Sequence, residues 1–367
     1  MRVLICGGGV IGASIAYFLS CRGAEAIVIE RTGVACAASG KSGGFLALDW
    51  CDGSPLEALA RQSFALHASL PEKIGADWGY RRLATYGGFA SAQGPGRGGH
   101  KNHVDWVSGG VVVDRRLGST DTTAQVHPQE FTAAMMRAAE TQGARLRLGR
   151  VTGIVRDASG TRVRGVEVGA ETIEGDAVVI AMGPWSILAA QWLPLPPVFG
   201  LKGHSLVFET GSRVPAEALF LEYQEAGGGV HSPEVFPRTD GTTYVCAISS
   251  ETPLPVDPAD VAPDPGAIAR LQAMCARVSA TLGGARVLAS QACHRPVTQD
   301  GLPLIGAVPG LEGAYVATGH SVWGILNAPA TGEAMAELIL DGAARTVDLA
   351  PFDPTRLGAF DATQLRI

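Results

Sequence analysis

An apolar run, Val3-Leu4-Ile5-Cys6, ends directly in Gly7-Gly8-Gly9-Val10-Ile11-Gly12, and no other stretch of the 367-residue chain narrows the fold so far. A fully apolar run of this length closed by glycines predicts a buried parallel strand, a tight turn at Gly7 and the start of a helix. Gly9 lets the backbone approach a pyrophosphate closely, and Gly12 lets the helix pack tightly on the strand. The N–H groups at the helix start, those of Val10 and Ile11 among them, would then face the phosphates. Ile11, Ile15, Phe18 and Leu19 recur at helical spacing, Gly23 supplies a stop, and residues 26–29 read as a second apolar strand. Glu30 stands at its tip, 18 positions after Gly12. That is near the offset of about 20 at which a carboxylate accepts hydrogen bonds from an adenosine ribose and disfavours a 2′-phosphate. In a chain with 48 glycines the motif alone is weak; with strand, helix, second strand and Glu30 in place it reads as a dinucleotide clamp.

The length allows about two domains, and 46% hydrophobic with 17% charged residues describes a globular chain. A formal charge of −6 with no Lys/Arg block argues against nucleic acid or an acidic membrane surface as partner. Seven cysteines, an odd number with no C-x-x-C pair, argue against a full disulfide framework and for a reducing compartment, cytoplasmic or another intracellular one. No apolar run reaches membrane-spanning length and Met1-Arg2 leads straight into the first strand, so a soluble chain without a membrane span is expected. The terminal Gln364-Leu365-Arg366-Ile367 matches no targeting address.

Alternating strand-like and helix-like segments predict an α/β nucleotide unit interrupted by a more β-rich one. After Glu30, the small residues Ala37-Ala38-Ser39-Gly40-Lys41-Ser42-Gly43-Gly44 form a loop whose amides and hydroxyls suit phosphate oxygens. Residues 55–70 read as a helix, 87–110 as a Gly-rich loop, and 128–142 as a helix with Phe131, Met135 and Ala138 or Ala139 on one face. Residues 145–155, 163–168 and 172–173 read as a small β-meander, and 177–183 as another buried strand ending in glycine. The middle holds strand candidates at 205–208 and 244–247 and a helix over 266–282. A strand over 314–318 ends at Gly319-His320, and a helix over 326–340 carries Pro329 in its first turn. The expected division is 1–50, 125–193 and 290–367 for the cofactor, with 51–124 and 194–289 for the substrate. The absence of a Ser-His-Asp set, HExxH or Walker loop leaves no residues for hydrolase, metalloprotease or NTPase chemistry, and no metal site is expected.

Five ordered segments together carry a resemblance: the clamp ending at Glu30-Arg31, the Ser39 to Gly44 loop, Ala181-Met182-Gly183-Pro184-Trp185-Ser186, the run Arg295-Pro-x-Thr-x-Asp-Gly-x-Pro-x-Ile-Gly306, and Gly319-His320-x-x-x-Gly324-Ile325 followed by Ala328 to Gly332. Over nearly the whole chain they resemble the D-amino-acid oxidase, glycine oxidase and sarcosine oxidase superfamily of FAD-dependent amine oxidoreductases. The resemblance implies an α/β fold, with a Rossmann-like FAD-binding domain of the glutathione-reductase type and a second, β-rich α+β substrate domain. It implies that Gly7, Gly9, Val10, Ile11 and Gly12 hold the FAD pyrophosphate, and that Glu30 with Arg31 holds the adenosine. Ser39, Lys41, Ser42, Gly43 and Gly44 would hold the inner phosphate and ribityl chain, and the backbone of Val151 the adenine. Ala181, Gly183, Trp185 and the loop Gly319, His320, Val322, Trp323, Gly324, Ile325 and Leu326 would border the isoalloxazine, where a helix N-terminus stabilises the reduced ring.

For the substrate, the resemblance implies that Arg295 grips a carboxylate in a bidentate fork; capping a sheet edge or pairing Asp300 is the alternative. Glycine oxidase-like members carry a second arginine where this chain has Val322 and an aromatic anchor where Glu234 falls, and a carboxylate there would attract a cation. Trp323 and His204 are further candidates for the substrate site, although a lone strand histidine is more often a structural hydrogen-bonder. Cys293 falls where sarcosine oxidase-type members attach the flavin covalently; a buried apolar filler and non-covalent FAD is the favoured reading. The implied reaction is oxidation of a C–N bond of an amine or amino acid by hydride transfer to flavin N5, giving an imine and, with O2 as acceptor, H2O2. A dehydrogenase would use another acceptor. Two alternatives are an NAD-dependent dehydrogenase built on the same clamp and a flavin-loaded protein with an interaction or trafficking role.

Overall fold

The structure, a computed structural model, describes residues 1–93 and 104–365. Its centre is a six-stranded sheet ordered Leu304–Ala307, Ala314–Thr318, Ala177–Ile180, Arg2–Cys6, Glu25–Glu30, Arg145–Leu148. All neighbours run parallel except Leu304–Ala307, which pairs antiparallel with Ala314–Thr318. The apolar run at the N-terminus is the middle of this sheet, with both faces buried; Val3 and Ile5 pack on helices while Leu4 and Cys6 pack on the opposite layer. That two-sided burial is why the run lacks polar alternation. On the helical face lie Val10–Cys21, Glu57–Ile74, Pro128–Thr141 and Gly324–Asp341. The other face is covered in part by an antiparallel meander of Val151–Arg156, Val163–Val168 and Glu171–Glu174.

An eight-stranded sheet forms the second layer, ordered Arg286–Val297, Phe199–Glu209, Thr242–Ser250, Glu234–Pro237, Glu217–Gln224, Ala84–Ser91, Val111–Gly118, with Val230–His231 paired beside Glu217–Gln224. Helix Ala267–Val278 packs Leu271, Met274 and Cys275 against it. A small third sheet joins Phe45–Ala47, Thr123–Gln125 and Arg81–Arg82. Among the described residues no helix is long and apolar enough to cross a membrane.

Several expectations change. The segment read as one strand from 145 breaks at 149–150; its first half, Arg145–Leu148, is an outer strand of the six-stranded sheet, because it pairs parallel with Glu25–Glu30. The loop expected at 87–110 begins as strand Ala84–Ser91, where glycines still sustain ladder pairing on both sides; residues 94–103 of that loop, like Arg366 and Ile367, lie outside the described residues. The Ser39 loop contains a single helical turn, Ala38–Lys41. The helix read over 266–282 is interrupted at Ser279, whose backbone is extended. Residues 290–297, expected with the cofactor segments, lie in strand Arg286–Val297 of the eight-stranded sheet.

Pro329 is not in the first turn of its helix: Gly324–Asp341 starts five residues before it. An interior proline removes the N–H that would reach the carbonyl four residues back, here Ile325. The facing helix Glu57–Ile74 makes up the loss. His67 Nε2 donates to the carbonyls of Ile325 at 2.9 Å and Leu326 at 3.2 Å, and Ala330 N donates to Ser63 Oγ at 3.1 Å. Both acceptors are carbonyls, so Nε2 carries a proton, while Nδ1 is buried without a partner. Full burial pulls the His67 pKa from 6.5 down to about 4. The unfolded chain therefore binds more protons than the folded one between those values, so the stabilisation is complete above pH 6.5 and lost as pH falls toward 4, by about 3 kcal/mol in all. His67→Gln, which keeps an N–H donor and loses the titration, is expected to flatten the dependence of the urea midpoint on pH between 7 and 4.5. An equally steep variant would show that His67 does not titrate in this window.

Candidate functional site

The carboxyl ends of the parallel strands open onto a cleft of about 660 Å³ that runs from Glu30 and Val151 at one end to Glu234 and Arg295 at the other. This is where an open α/β sheet receives ligands. At the first end, Gly7, Gly9, Val10 and Ile11 line the wall. Gly12 does not line it and acts mechanically, because a Cβ there would lie 2.0 Å from the Gly7 carbonyl oxygen and 3.3 Å from Ile5 Cγ2. The helix thus rests directly on the turn that begins it. Glu30, almost fully buried, accepts from Gly8 N at 2.6 Å and from Thr32 N at 2.8 Å, so its carboxylate braces the turn while facing the cleft. Arg31 is already engaged, with Nη1 on the Val256 carbonyl at 3.0 Å and Nη2 on Asp257 at 2.6 Å.

In the middle of the cleft, Ser39 Oγ accepts from Val10 N at 2.9 Å and so docks the Ala38–Lys41 turn on the helix start. Ser42 and Gly43 line the cleft, and Ser42 Oγ is buried without a partner; Lys41 and Gly44 lie outside the lining. Arg238, invisible as a site residue in the sequence, donates to the Ser42 carbonyl at 3.0 Å from a buried position. Ala181, Gly183 and Trp185 border the same region. Trp185 Nε1 donates to the Pro255 carbonyl at 2.7 Å, which ties the Pro/Asp-rich stretch to the cofactor side.

The loop after Thr318 presents His320, Ser321, Val322, Gly324 and Ile325 to the cleft, whereas Gly319, Trp323 and Leu326 stay outside the lining. Ser321 holds φ at +49°, an uncommon conformation for a residue with a Cβ. His320 Nε2 pairs with Thr331 Oγ1 at 3.1 Å, and burial pulls its pKa down to about 3, so it fastens the loop to the helix as a neutral ring. Trp323 turns to an aromatic cluster, 6.5 Å from Trp50, which in turn lies 5.0 Å from Phe45 and 4.9 Å from Phe220. The indole is half-buried at the edge of that cluster.

At the second end, Glu234, Tyr244, Cys246, Cys293 and Arg295 line the cleft from the eight-stranded sheet. Positions 244 and 246 point the same way by strand alternation, and Cys246 lies opposite Glu234 on the neighbouring strand. Arg295 Nη2 donates to Ser249 Oγ at 2.6 Å, and its Nε is buried without a partner. It does not pair Asp300, whose carboxylate is held by Arg356 at 2.7 Å. Glu234 accepts from Cys246 Sγ at 3.5 Å; burial pushes its carboxyl above the ordinary range, and the Arg295 charge opposes that rise. Burial likewise pushes the Cys293 thiol up against the opposing charges of Arg295 and Lys41. His204, a candidate for substrate contact, has both ring nitrogens taken: Nδ1 bonds the Ile248 carbonyl at 3.1 Å and Nε2 accepts from Asp264 N at 3.0 Å. It is a structural tie. The periodicity of strand 244–247 was readable, but Ser249, Cys246 and Tyr244 join the site only through pairing that brings distant strands together.

The lining fits FAD: amides and a partnerless Ser42 hydroxyl in the middle, a carboxylate at one end, and an arginine with an unused N–H at the other. A family model described as FAD dependent oxidoreductase, DAO, matches residues 2–338. Among curated proteins, the chain is 29% identical to the putative oxidoreductase C1F5.03c of Schizosaccharomyces pombe, over 96% of this chain and 97% of that protein. It is also 29% identical to a glycine oxidase of Geobacillus kaustophilus, over 96% of each. The crystal structure of glycine oxidase from Geobacillus kaustophilus superposes with a TM-score of 0.80 at 26% identity, covering 97% of this chain and 99% of that one.

Gly12→Ala places a methyl group against backbone that cannot move aside, and overpacking of this kind costs about 3 kcal/mol. The expected result is a lower urea midpoint and a purified protein with less than a tenth of the wild-type FAD content by absorbance near 450 nm. Undiminished flavin content would remove the helix-on-turn contact from the clamp.

Proposed function

The chain belongs to the DAO family of FAD-dependent oxidoreductases, and from that premise we propose that it oxidises the C–N bond of an amino acid or related amine whose carboxylate is held by Arg295. The observation that carries this reading is the buried, partnerless Nε of Arg295 in the cleft, next to an Nη2 already oriented by Ser249. A guanidinium fixed on one side and free on the other is suited to a bidentate grip on a carboxylate. Similarity to glycine oxidases over almost the full chain supports an amino-acid substrate. The family's cofactor is FAD, which removes the nicotinamide alternative.

Bound FAD supplies the two-electron acceptor for a hydride leaving the substrate carbon that bears nitrogen. The chain's own residues position and screen. The Gly9, Val10 and Ile11 amides would hold the pyrophosphate, Glu30 the adenosine ribose, the Val151 backbone the adenine, and the Ser42 hydroxyl the inner phosphate or ribityl chain. The Gly324–Asp341 helix start, at the cleft through Gly324 and Ile325, would favour negative charge on the reduced ring. Arg295 fixes the substrate carboxylate, and Trp185 and Tyr244 help keep water from the reacting carbon. Water then hydrolyses the imine. With O2 as acceptor the second product is H2O2. A neutral Cys293 suits non-covalent FAD, because attachment through sulfur requires the thiolate.

An aerobic peroxide screen over D- and L-amino acids, N-methyl amino acids, polyamines and simple amines, repeated anaerobically for flavin bleaching, tests the reaction. Silence in both formats across all classes would end this reading. Arg295→Met is expected to lower kcat/KM for a carboxylate substrate roughly 30- to 1,000-fold, the equivalent of about 2–4 kcal/mol for a lost charged hydrogen-bond partner. Precipitation with trichloroacetic acid is expected to leave all yellow colour in the supernatant; colour in the pellet would establish a covalent bond.

A further inference from the structure

Glu234 is a half-buried carboxylate facing the cleft with too few partners. Among the described residues its side chain has one hydrogen bond, from the weak thiol donor of Cys246 at 3.5 Å, and no ion pair within 4 Å. An ionised carboxylate can accept about four hydrogen bonds, and a bound molecule that covers this one is disfavoured unless it brings donors, a cation or a proton. Its oxygens face the cleft on the same sheet surface as Arg295, close enough for the guanidinium charge to act on it. The substrate end of the cleft thus presents the Arg295 guanidinium and the Glu234 carboxylate on one wall, with the Lys41 charge acting on Cys293 beside them. At the rim nearby, Val230 and Val322, which are 59% and 54% exposed, supply apolar surface, and His231 beside them is engaged with Glu225 at 3.4 Å and Arg270 at 3.1 Å.

A neutral amino acid uses only half of this arrangement. Its carboxylate can meet Arg295, but its reacting nitrogen must be uncharged when the hydride leaves, so nothing on it answers a full negative charge at Glu234. We propose that the cleft selects an α-amino acid carrying a second, non-reacting cation on its side chain, an ammonium or guanidinium, whose carboxylate lies on Arg295 and whose distal cation lies on Glu234. This rests on the amine-oxidation reading of the same cleft. Opposed fixed charges also set orientation, since a reversed substrate would place like charges together at both ends.

The test compares lysine with norleucine, which has the same backbone and a similar chain without the ammonium, and with Nε-acetyl-lysine, which keeps the length and loses the charge. Both enantiomers are followed by anaerobic flavin reduction in the holoenzyme. The expected result is a kcat/KM for lysine at least tenfold above norleucine and Nε-acetyl-lysine, with the lysine-to-norleucine ratio falling to about one in Glu234→Gln. A wild-type ratio near or below one overturns the proposal while leaving amine oxidation intact. Equal slowing of lysine and norleucine in Glu234→Gln also overturns it, because Glu234 would then act on the amine common to both. Should that variant fail to fold, the Nε-acetyl-lysine comparison in the wild-type enzyme still decides. If none of these compounds and no amine in the wider screen reduces the flavin, the reaction itself falls, and the proposal with it.

Discussion

Three buried strands held in parallel register determine where everything else can be. Val3 pairs with both Ala177 and Ala26, and Cys6 with both Ile180 and Ile29, so the three strands end at one level. Gly7, Glu30 and Ala181 consequently emerge side by side, although the last is separated from the others by about half the chain. The next strand, aligned through Ile180 and Val316, adds Thr318 and the loop that follows it. A one-residue slip would exchange the side chains fitted to the helical layer with those fitted to the opposite layer, so the same apolar contacts that build the core also align the rim of the cleft.

The eight-stranded sheet closes the other side and supplies a different kind of chemistry. The cofactor side works mainly through backbone: amides at a helix start, a turn packed against its own helix, and carbonyls held by Arg238 and Trp185. The sheet side works through side chains selected by strand alternation. Burial keeps His320 and Cys293 uncharged and His204 has both ring nitrogens bonded, whereas Arg295 and Glu234 face the cleft with hydrogen-bonding capacity unused. A site of that composition binds and orients, in keeping with a reaction whose electron chemistry belongs to the flavin.

The helix Gly324–Asp341, with Pro329 in its interior, links the two sides. Pro329 frees the carbonyl of Ile325, a residue that lines the cleft, and an unmet acceptor there would be costly. His67 and Ser63 meet it and the displaced Ala330 amide from a neighbouring helix that does not itself line the cleft. The loop bearing Ser321 and Val322 is thus anchored from behind, by His320 on Thr331 and by His67 on Ile325.

Local chemistry made a large part of this legible. An apolar run followed by glycines needs no distant partner to specify strand, turn and helix, so the clamp, Glu30 and the family could be read from residues alone. Helices with a strong apolar face, such as Pro128–Thr141, were equally plain. What the sequence could not resolve depends on pairing between distant strands: that Arg145–Leu148 leaves the meander for the main sheet, that Arg286–Val297 belongs to the eight-stranded sheet, and that Cys246 stands opposite Glu234. The same holds for individual side chains. Residue type named Arg295, Glu234, His204 and Trp323 as candidates, but only their three-dimensional neighbours separated an arginine with an unused N–H and an undersupplied carboxylate from a histidine with both nitrogens occupied and an indole turned into an aromatic cluster. The cofactor was determined by local backbone geometry, which is written in consecutive residues; the shape and charge of the substrate end were decided by tertiary contacts, because hydrogen-bond capacity is assigned only when distant groups meet.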